Sequence, residues 1–120
     1  MTYDWPLIYV SGPLFSSGTP AENIEAAMDT AHWLVENKMA FIVPHLSYFM
    51  DPEQRYSHET WMQVDCPAVV RCDAVLLLPG VSRGATEECL AAVNAWVPIH
   101  KTRPSLLKWK ESYVPRPTAR

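Results

Sequence analysis

Three short apolar runs, separated by segments with helical periodicity, constrain the fold of this chain more than any other feature. The runs are LIYVS at 7–11, AFIVP at 40–44 and DAVLLLP at 73–79. Almost continuous apolar runs that stop at glycine or proline are typical of strands buried on both faces of a parallel sheet. Parallel neighbours need long crossover connections, which are usually helical.

The segments between these runs have the period of amphipathic helices. From 21 to 37, apolar residues recur at i, i+3, i+4 and i+7. Further helical segments are predicted to end near Arg71 and to span 83–95, followed by a short strand near 96–100. This alternation predicts an α/β, doubly wound, Rossmann- or flavodoxin-like fold, with helices flanking a mostly parallel sheet of four to five strands. We expect one domain over residues 1–103 and a C-terminal tail over 104–120.

Composition and charge limit the partners of such a domain. The formal net charge is −3 and basic residues are scattered as far as Lys101, which argues against a nucleic-acid partner. No apolar run approaches the roughly 18 residues that cross a bilayer, so no membrane partner is expected. Cys66, Cys72 and Cys89 are odd in number and no signal peptide precedes them, which predicts reduced thiols and a cytoplasmic location. A small-molecule ligand fits these features best.

Three predicted loops follow the carboxyl ends of the strands, where α/β sheets bind their ligands. They cover residues 12–19, 44–58 and 79–84. The last of them, PGVSRG, leads into a helix whose N-terminus offers unpaired N–H groups to an anion such as phosphate. The polar side chains expected to converge there are Tyr9, Ser16, Ser17, His45, Asp65, Ser82, Arg83 and Glu88.

The motifs of several large enzyme classes are missing. The sequence contains no G-x-G-x-x-G, no G-x-x-x-x-G-K-[ST] and no G-x-S-x-G, which lowers the case for dinucleotide-binding, P-loop and α/β-hydrolase chemistry. The four histidines are too dispersed to predict a metal site, and no cofactor is expected. Carboxylate chemistry beside an anion site is what remains.

Three motifs occur in an order that resembles a known family. IYVSGP covers the first strand, Asp65 precedes Asp73 of CDAVLLLPG by eight residues, and SRGATEECLAA covers the third loop and its helix. Together they are similar to the nucleoside 2-deoxyribosyltransferase-like superfamily, which includes nucleotide N-glycosidases and a branch frequent in phages and bacteria. The resemblance spans residues 7–100 and identifies the domain at 1–103 as nucleoside 2-deoxyribosyltransferase-like.

The resemblance implies a role for each of the acidic residues near the loops. Glu88, in the pattern G-x-x-x-E, corresponds to the nucleophilic glutamate. Tyr9 would orient that glutamate, and Asp65 would act on the base. Glu87 is then a solvated neighbour, and Asp73 is expected to be a structural residue that caps or accepts backbone N–H groups where its strand begins.

The residue six positions before Glu88 distinguishes two branches of that superfamily. Free-nucleoside transferases carry an aspartate there, whereas nucleotide hydrolases carry a serine that contacts a 5′-phosphate. This chain has Ser82, and both Arg83 and the nearby helix N–H groups favour an anion. The substrate-binding set that follows from loops and resemblance is Ser11, Gly12, Ser16, Ser17, His45, Ser82, Arg83 and Gly84.

The function predicted from the sequence is an N-glycosidase that hydrolyses a (deoxy)nucleoside 5′-monophosphate to free base and sugar phosphate. The resemblance to that superfamily also implies a homodimer or larger homo-oligomer. A deoxyribosyltransferase is one alternative, although the C-terminal segment has no clear counterpart of the residue with which relatives complete a neighbouring subunit's site. A nucleotide-sensing module and a non-catalytic interaction protein are two others.

Each of these residues also has a purely structural interpretation. Glu88 could merely complement a helix dipole, Asp65 could cap a helix, and Tyr9 could be a core aromatic. Residues 82 and 83 could form an ordinary turn, and the aromatic stretch 45–61 could stack on a base, form a lid or supply a subunit interface. The positions of these residues in the folded chain distinguish the structural from the functional interpretation.

Overall fold

The computed structural model describes residues 1–117, in which four strands alternate with helices. The sequence predictions of an α/β fold and of its first three helices are confirmed, with ends that differ by a few residues. Within the described residues, no helix is long and apolar enough to cross a bilayer. In chain order the elements are β1 (Leu7–Ser11), α1 (Pro20–Glu36), β2 (Ala40–Ile42), a 3₁₀ helix (Pro44–Phe49), α2 (His58–Val69), β3 (Ala74–Leu77), α3 (Arg83–Asn94), β4 (Ile99–His100) and α4 (Arg103–Glu111).

The four strands are all parallel and lie in the order β2-β1-β3-β4. In the central pair of strands, Ile8 of β1 lies opposite Ala74 of β3. The chain runs from β1 to β2 on one side, then crosses back to add β3 and β4 on the other. The strand order therefore reverses between β1 and β3, and the crevice at the carboxyl ends of these strands is where doubly wound sheets bind ligands.

Alternate residues of the central strands face opposite helical layers, as the two-residue period of a strand requires. Ile8 and Val10 pack with α1 and with Leu106 of α4. Tyr9, which lies between them, packs on the other face with Val69 of α2 and with α3. Both faces of the sheet are covered, which is why its strands are apolar without interruption.

Side-chain caps fix where the helices begin. Thr19 and Glu22 form a capping box at the start of α1. Ser57, Ser82 and Thr102 each accept the backbone N–H three residues further on, at the starts of α2, α3 and α4. Caps of this kind stabilise a helix by about 1 kcal/mol each. The Ser82 cap also fixes the loop that leads into α3, the helix with the two adjacent glutamates.

Pro67 lies inside α2, two residues before its last residue. Its ring removes one helical N–H donor, yet the helix continues to Val69 because it is packed against α3 and the sheet. Asp65 is therefore an interior residue of α2, and the interpretation of Asp65 as a helix cap is wrong.

The segment after residue 103, expected to be a tail, begins with α4, and Leu106 of that helix is fully buried. The chain then returns to Asp73 at the start of β3. The Tyr113 hydroxyl lies 3.2 Å from Oδ2 of Asp73, and Nε of Arg116 lies 3.0 Å from its Oδ1. Residues 104–117 thus pack onto the domain, and residues 118–120 of the expected tail lie outside the described residues.

Asp73 has the structural role expected from the sequence. Its Oδ2 atom accepts the N–H of Leu7 at 2.7 Å, which joins the beginnings of β1 and β3. This acceptor satisfies a part-buried backbone donor that the sheet itself does not pair. The carboxylate therefore stabilises the end of the sheet that lies away from the ligand crevice.

Candidate active site

A cavity of about 420 Å³ opens at the carboxyl ends of the central strands. Small-molecule sites are typically about 300–1,000 Å³. The three loops predicted to meet do so here, and α2 and α3 complete the wall. Of the residues predicted from the sequence, those that line the cavity are Gly12, Ser16, His45, Asp65, Ser82, Arg83, Gly84 and Glu88.

Glu88 lies in the second turn of α3 and is buried, with 4% of its surface exposed. Both of its carboxylate oxygens accept hydrogen bonds from β1. The Tyr9 hydroxyl donates to Oε2 at 2.6 Å, and the Ser11 hydroxyl donates to Oε1 at 2.8 Å. Tyr9 and Ser11 are two residues apart on one strand, so both point toward α3. The two hydroxyls hold Glu88 in one orientation at the edge of the cavity.

Tyr9 and Ser11 are themselves fully buried and lie outside the lining of the cavity. Burial raises the pKa of Tyr9 far above its usual range, and the nearby carboxylates add to this effect, so the phenol stays a hydrogen-bond donor. The sequence predicts that Ser11 binds substrate, but in the structure its hydroxyl donates a hydrogen bond to Glu88.

Burial also raises the pKa of both carboxyl groups that line the inner part of the site. The pKa of Glu88 rises to about 7, chiefly because burial disfavours the anion; the Tyr9 and Ser11 hydroxyls oppose this, and Asp65 adds to it. The pKa of Asp65 rises to about 6, again chiefly through burial. The pair therefore holds one proton near neutral pH, so that one group can act as a base or nucleophile while the other acts as an acid.

His45 follows β2 and is only 2% exposed. Neither ring nitrogen has a hydrogen-bond partner among the residues that the structure describes. Burial lowers the pKa of His45, although the backbone of Gly12 and Pro13 lies close enough to oppose the shift. A neutral imidazole therefore lines the cavity, and its two ring nitrogens are buried beside the backbone of Gly12 and Pro13.

Serine hydroxyls join the first and third loops. The hydroxyls of Ser16 and Ser17 lie 2.6 and 3.1 Å from the Val81 carbonyl oxygen, and the Val81 N–H donates to the Ser17 hydroxyl at 3.0 Å. Ser17, expected to bind substrate, does not line the cavity and has this connecting role instead. Gly80 allows the close approach, since its φ is +114° and a Cβ there would lie 2.9 Å from Pro13.

Arg83 lines the cavity, but its guanidinium is already paired with carboxylates. Nη2 lies 3.3 Å from Glu59 and Nε lies 3.7 Å from Glu87. Glu87, expected to be merely solvated, also lies 3.0 Å from Nε2 of His58 and so connects α3 to α2. Next to Arg83, the Ser82 hydroxyl accepts the first capping N–H of α3 and keeps its own proton for donation.

Several lining residues were not identified from the sequence. Asp51 is 3% exposed although it lies in a loop, and Phe15, Gln54 and His58 line the cavity near it. An aspartate before proline in a polar stretch is a turn signal, and it could have drawn attention to Asp51. Within residues 1–117, no three His, Cys, Asp or Glu side chains are grouped in a way that could hold a metal ion.

Fold and site together define a class of protein: an α/β domain with a doubly wound parallel sheet, and with one buried and one half-buried carboxyl group in the crevice where the strand order reverses. The chain belongs to the family described as Domain of unknown function (DUF7768), which matches residues 6–102. The match covers β1 through β4 and ends before α4. No curated protein matches the sequence significantly.

Proposed function

We propose that this protein is an N-glycosidase that hydrolyses a (deoxy)nucleoside 5′-monophosphate to a free base and a sugar phosphate. The observation that carries the proposal is the buried Glu88 carboxylate, fixed by Tyr9 and Ser11 and electrostatically coupled to Asp65. Cleavage of a glycosidic bond needs one carboxylate beside the anomeric carbon and one acid beside the leaving group. The resemblance of three sequence motifs to nucleoside 2-deoxyribosyltransferase-like enzymes supports the same assignment.

Glu88 is the group that acts on the sugar. The bond between C1′ and the base nitrogen breaks through an oxocarbenium-like transition state, and its electron pair leaves with the base. The Glu88 carboxylate attacks C1′ and forms a glycosyl ester. Hydrogen bonds from Tyr9 and Ser11 keep the carboxylate in place during this step.

Asp65 is the group that serves the base. In its protonated form it gives its proton to the departing base nitrogen. The resulting carboxylate then takes a proton from the water that attacks C1′, which releases the sugar phosphate and restores Glu88. The active form carries the proton on Asp65 and the charge on Glu88; because the two groups are coupled, either can hold the one proton that the pair keeps between about pH 6 and 7.

The first turn of α3 is the proposed position of the 5′-phosphate. The N–H groups at the start of a helix have no intrahelical acceptor, and the Ser82 hydroxyl can donate beside them. Arg83 would exchange its contacts with Glu59 and Glu87 for the phosphate. Mainly exposed ion pairs are worth at most about 1 kcal/mol, whereas charge-assisted hydrogen bonds to a phosphate are stronger.

Aromatic side chains in the cavity suit a flat base. Tyr56 and Trp61 pack edge to face with ring centroids 5.9 Å apart, and Phe15 and Tyr48 lie 5.8 Å apart. All four line the cavity, and aromatic rings bind bases through their faces. His45 lines the same cavity.

Incubation of the purified protein with a panel of ribo- and deoxyribonucleoside 5′-monophosphates, followed by measurement of free base, tests this function. Base release in water supports the glycosidase. Release only when a second base is supplied identifies the transferase, and tight binding without release identifies a nucleotide sensor. A protein that neither binds nor cleaves any member of the panel would contradict the proposal.

The rate of base release should depend on pH with a maximum between about 6 and 7. Above about pH 7 the carboxyl pair loses its last proton, so no acid remains for the base; below about pH 6 both groups are protonated and the nucleophile is lost. The kcat/KM profile from acid to mildly alkaline pH measures this. Asp65→Asn should retain the acid limb and lose the alkaline limb, whereas a flat profile in the wild type would contradict the assignment.

We also propose a homo-oligomer in solution. Leu46, Phe49 and Met50 follow β2 near the cavity and are 45%, 69% and 60% exposed. Apolar side chains grouped on a surface favour association of copies. Light scattering should therefore give at least a dimeric mass at micromolar concentration, and a monomeric mass would contradict this expectation.

A further inference from the structure

Asp51 is a buried carboxylate that the proposed reaction does not use. It lies between the 3₁₀ helix and α2, and 3% of its surface is exposed. Its Oδ1 atom accepts the N–H of Arg55 at 2.9 Å, and its Oδ2 atom accepts the N–H of Tyr56 at 3.2 Å. Both oxygens thus hold the backbone of the turn that leads into α2.

The turn held by Asp51 contains a residue in an unfavourable conformation. Gln54, which lines the cavity, has a φ of +53°, a left-handed backbone conformation that residues other than glycine rarely adopt. Its N–H donates to the Asp51 carbonyl at 3.2 Å. Such a conformation persists only where surrounding interactions fix it, and the Asp51 carboxylate supplies two of them.

The same turn ends at the aromatic wall of the cavity, formed by Tyr56 and Trp61. Tyr56 donates its N–H to Asp51, and its ring packs on Trp61 at an interplanar angle of 88°. The Arg55 guanidinium lies 5.9 Å from the centre of the Tyr56 ring. One carboxylate therefore fixes the backbone from which the first ring of the wall projects.

We propose that Asp51 is a positioning residue that fixes the aromatic wall and thereby sets the affinity of the cavity for the base of its ligand. The identity of the ligand rests on the proposed function, whereas the anchoring of the turn does not. Asp51 takes no part in the bond-breaking steps, so loss of its carboxylate acts on binding. KM rises and kcat stays close to that of the wild type.

The first test compares Asp51→Asn, which keeps one acceptor oxygen, and Asp51→Ala, which keeps none, with Glu53→Gln. Glu53 is exposed in the same turn, so its substitution removes the same charge without removing the anchor. With the monophosphate that the wild type cleaves fastest, we expect KM to rise about tenfold in Asp51→Ala and less in Asp51→Asn. A fall in kcat alone, or an equal rise of KM in Glu53→Gln, would overturn the proposal.

The second test is tryptic cleavage after Arg55, which needs no enzymatic activity. The Asp51 carboxylate holds the N–H groups on both sides of Arg55, so release of the turn should expose that peptide bond. We expect cleavage there to be at least about tenfold faster in Asp51→Ala and unchanged in Glu53→Gln, with folding of each variant checked by circular dichroism. If Asp51→Ala does not fold, Asp51→Asn serves for both measurements.

The two tests separate the two proposals. Faster cleavage of the Asp51 variants by a protein that releases no base means that the proposed function has failed while the anchoring stands. Normal base release with neither KM nor cleavage changed in the Asp51 variants means that the positioning role is wrong.

Discussion

Replacement of Glu88 by glutamine is expected to lower kcat for base release by at least about 10³-fold and to leave nucleotide binding nearly unchanged. Glutamine has almost the same shape; its amide oxygen can accept from one of the two hydroxyls, and its NH₂ group can donate to the oxygen of the other. It lacks the charge that attacks C1′, so the loss falls on the chemical step. Single-turnover base release and calorimetric binding of the same nucleotide give the two quantities separately.

The stability of Glu88→Gln supports the interpretation of that result. Burial raises the pKa of Glu88 to about 7, so the folded protein favours the protonated form. The stability associated with that form is complete at acid pH, below the pKa of the unfolded chain, and is lost as the pH rises through about 7. Neutral glutamine avoids this loss. The Tm of the variant at mildly alkaline pH should therefore equal or exceed that of the wild type, and inactivity cannot then result from unfolding.

Glu87→Gln is the matched control, because it removes the same charge from the adjacent position of α3. The Glu87 side chain is 43% exposed and pairs with His58 and Arg83. Exposed pairs contribute at most about 1 kcal/mol, so we expect kcat/KM to change less than about fivefold. Wild-type activity in Glu88→Gln, or a loss of kcat/KM in Glu87→Gln that exceeds the loss in Glu88→Gln, would show that Glu88 is not the nucleophile.

Ser82→Asp is expected to lower kcat/KM for the nucleoside 5′-monophosphate by at least about a hundredfold and to leave cleavage of the free nucleoside unchanged or improved. Two charge-assisted hydrogen bonds to the phosphate, each worth about 1.5–3 kcal/mol, would account for this preference. Aspartate caps a helix as well as serine does, so the start of α3 is preserved. Its carboxylate repels the phosphate but can accept a sugar hydroxyl.

Ser82→Asn separates the charge of that substitution from its shape. Asparagine is also a good helix cap and is neutral, so its effect on monophosphate cleavage should be much smaller than that of aspartate. Values of kcat/KM for both substrates in the three proteins decide the matter. A wild type that already prefers the free nucleoside, or a Ser82→Asp variant that loses both activities in proportion, would leave Ser82 with the capping role alone.

The fold could be predicted because its determinants are local in the sequence. The runs at 7–11 and 73–79 are apolar on both faces, and the segment 21–37 has the helical period. The local pattern of each segment therefore predicts its secondary structure. The helix Arg103–Glu111 was missed because it is short and mostly polar. It is ordered by tertiary contacts, chiefly the burial of Leu106, which no local pattern reports.

The candidate site could be predicted only in part. Residues that follow strands or begin helices, such as Gly12, His45 and Ser82, occupy positions that the fold alone brings into the crevice. The direction and hydrogen-bond partner of a loop or surface side chain could not be predicted from the sequence. Ser17 connects two loops, and Arg83 and Glu87 are paired across two helices, because each bonds to whichever group the packed chain places within reach.

The sequence by itself determined the parallel α/β architecture, which follows from periodicity along one chain, and it predicted part of the crevice lining, including Asp65 and Glu88 but not Asp51. Only the tertiary structure decided how those groups act on one another. Tyr9 and Glu88 are 79 residues apart in sequence, yet their oxygens lie 2.6 Å apart, and the burial that raises the pKa of Glu88 comes from elements packed around it. Protonation and orientation depend on distance and exclusion of water in three dimensions, which is why the packed chain decided them.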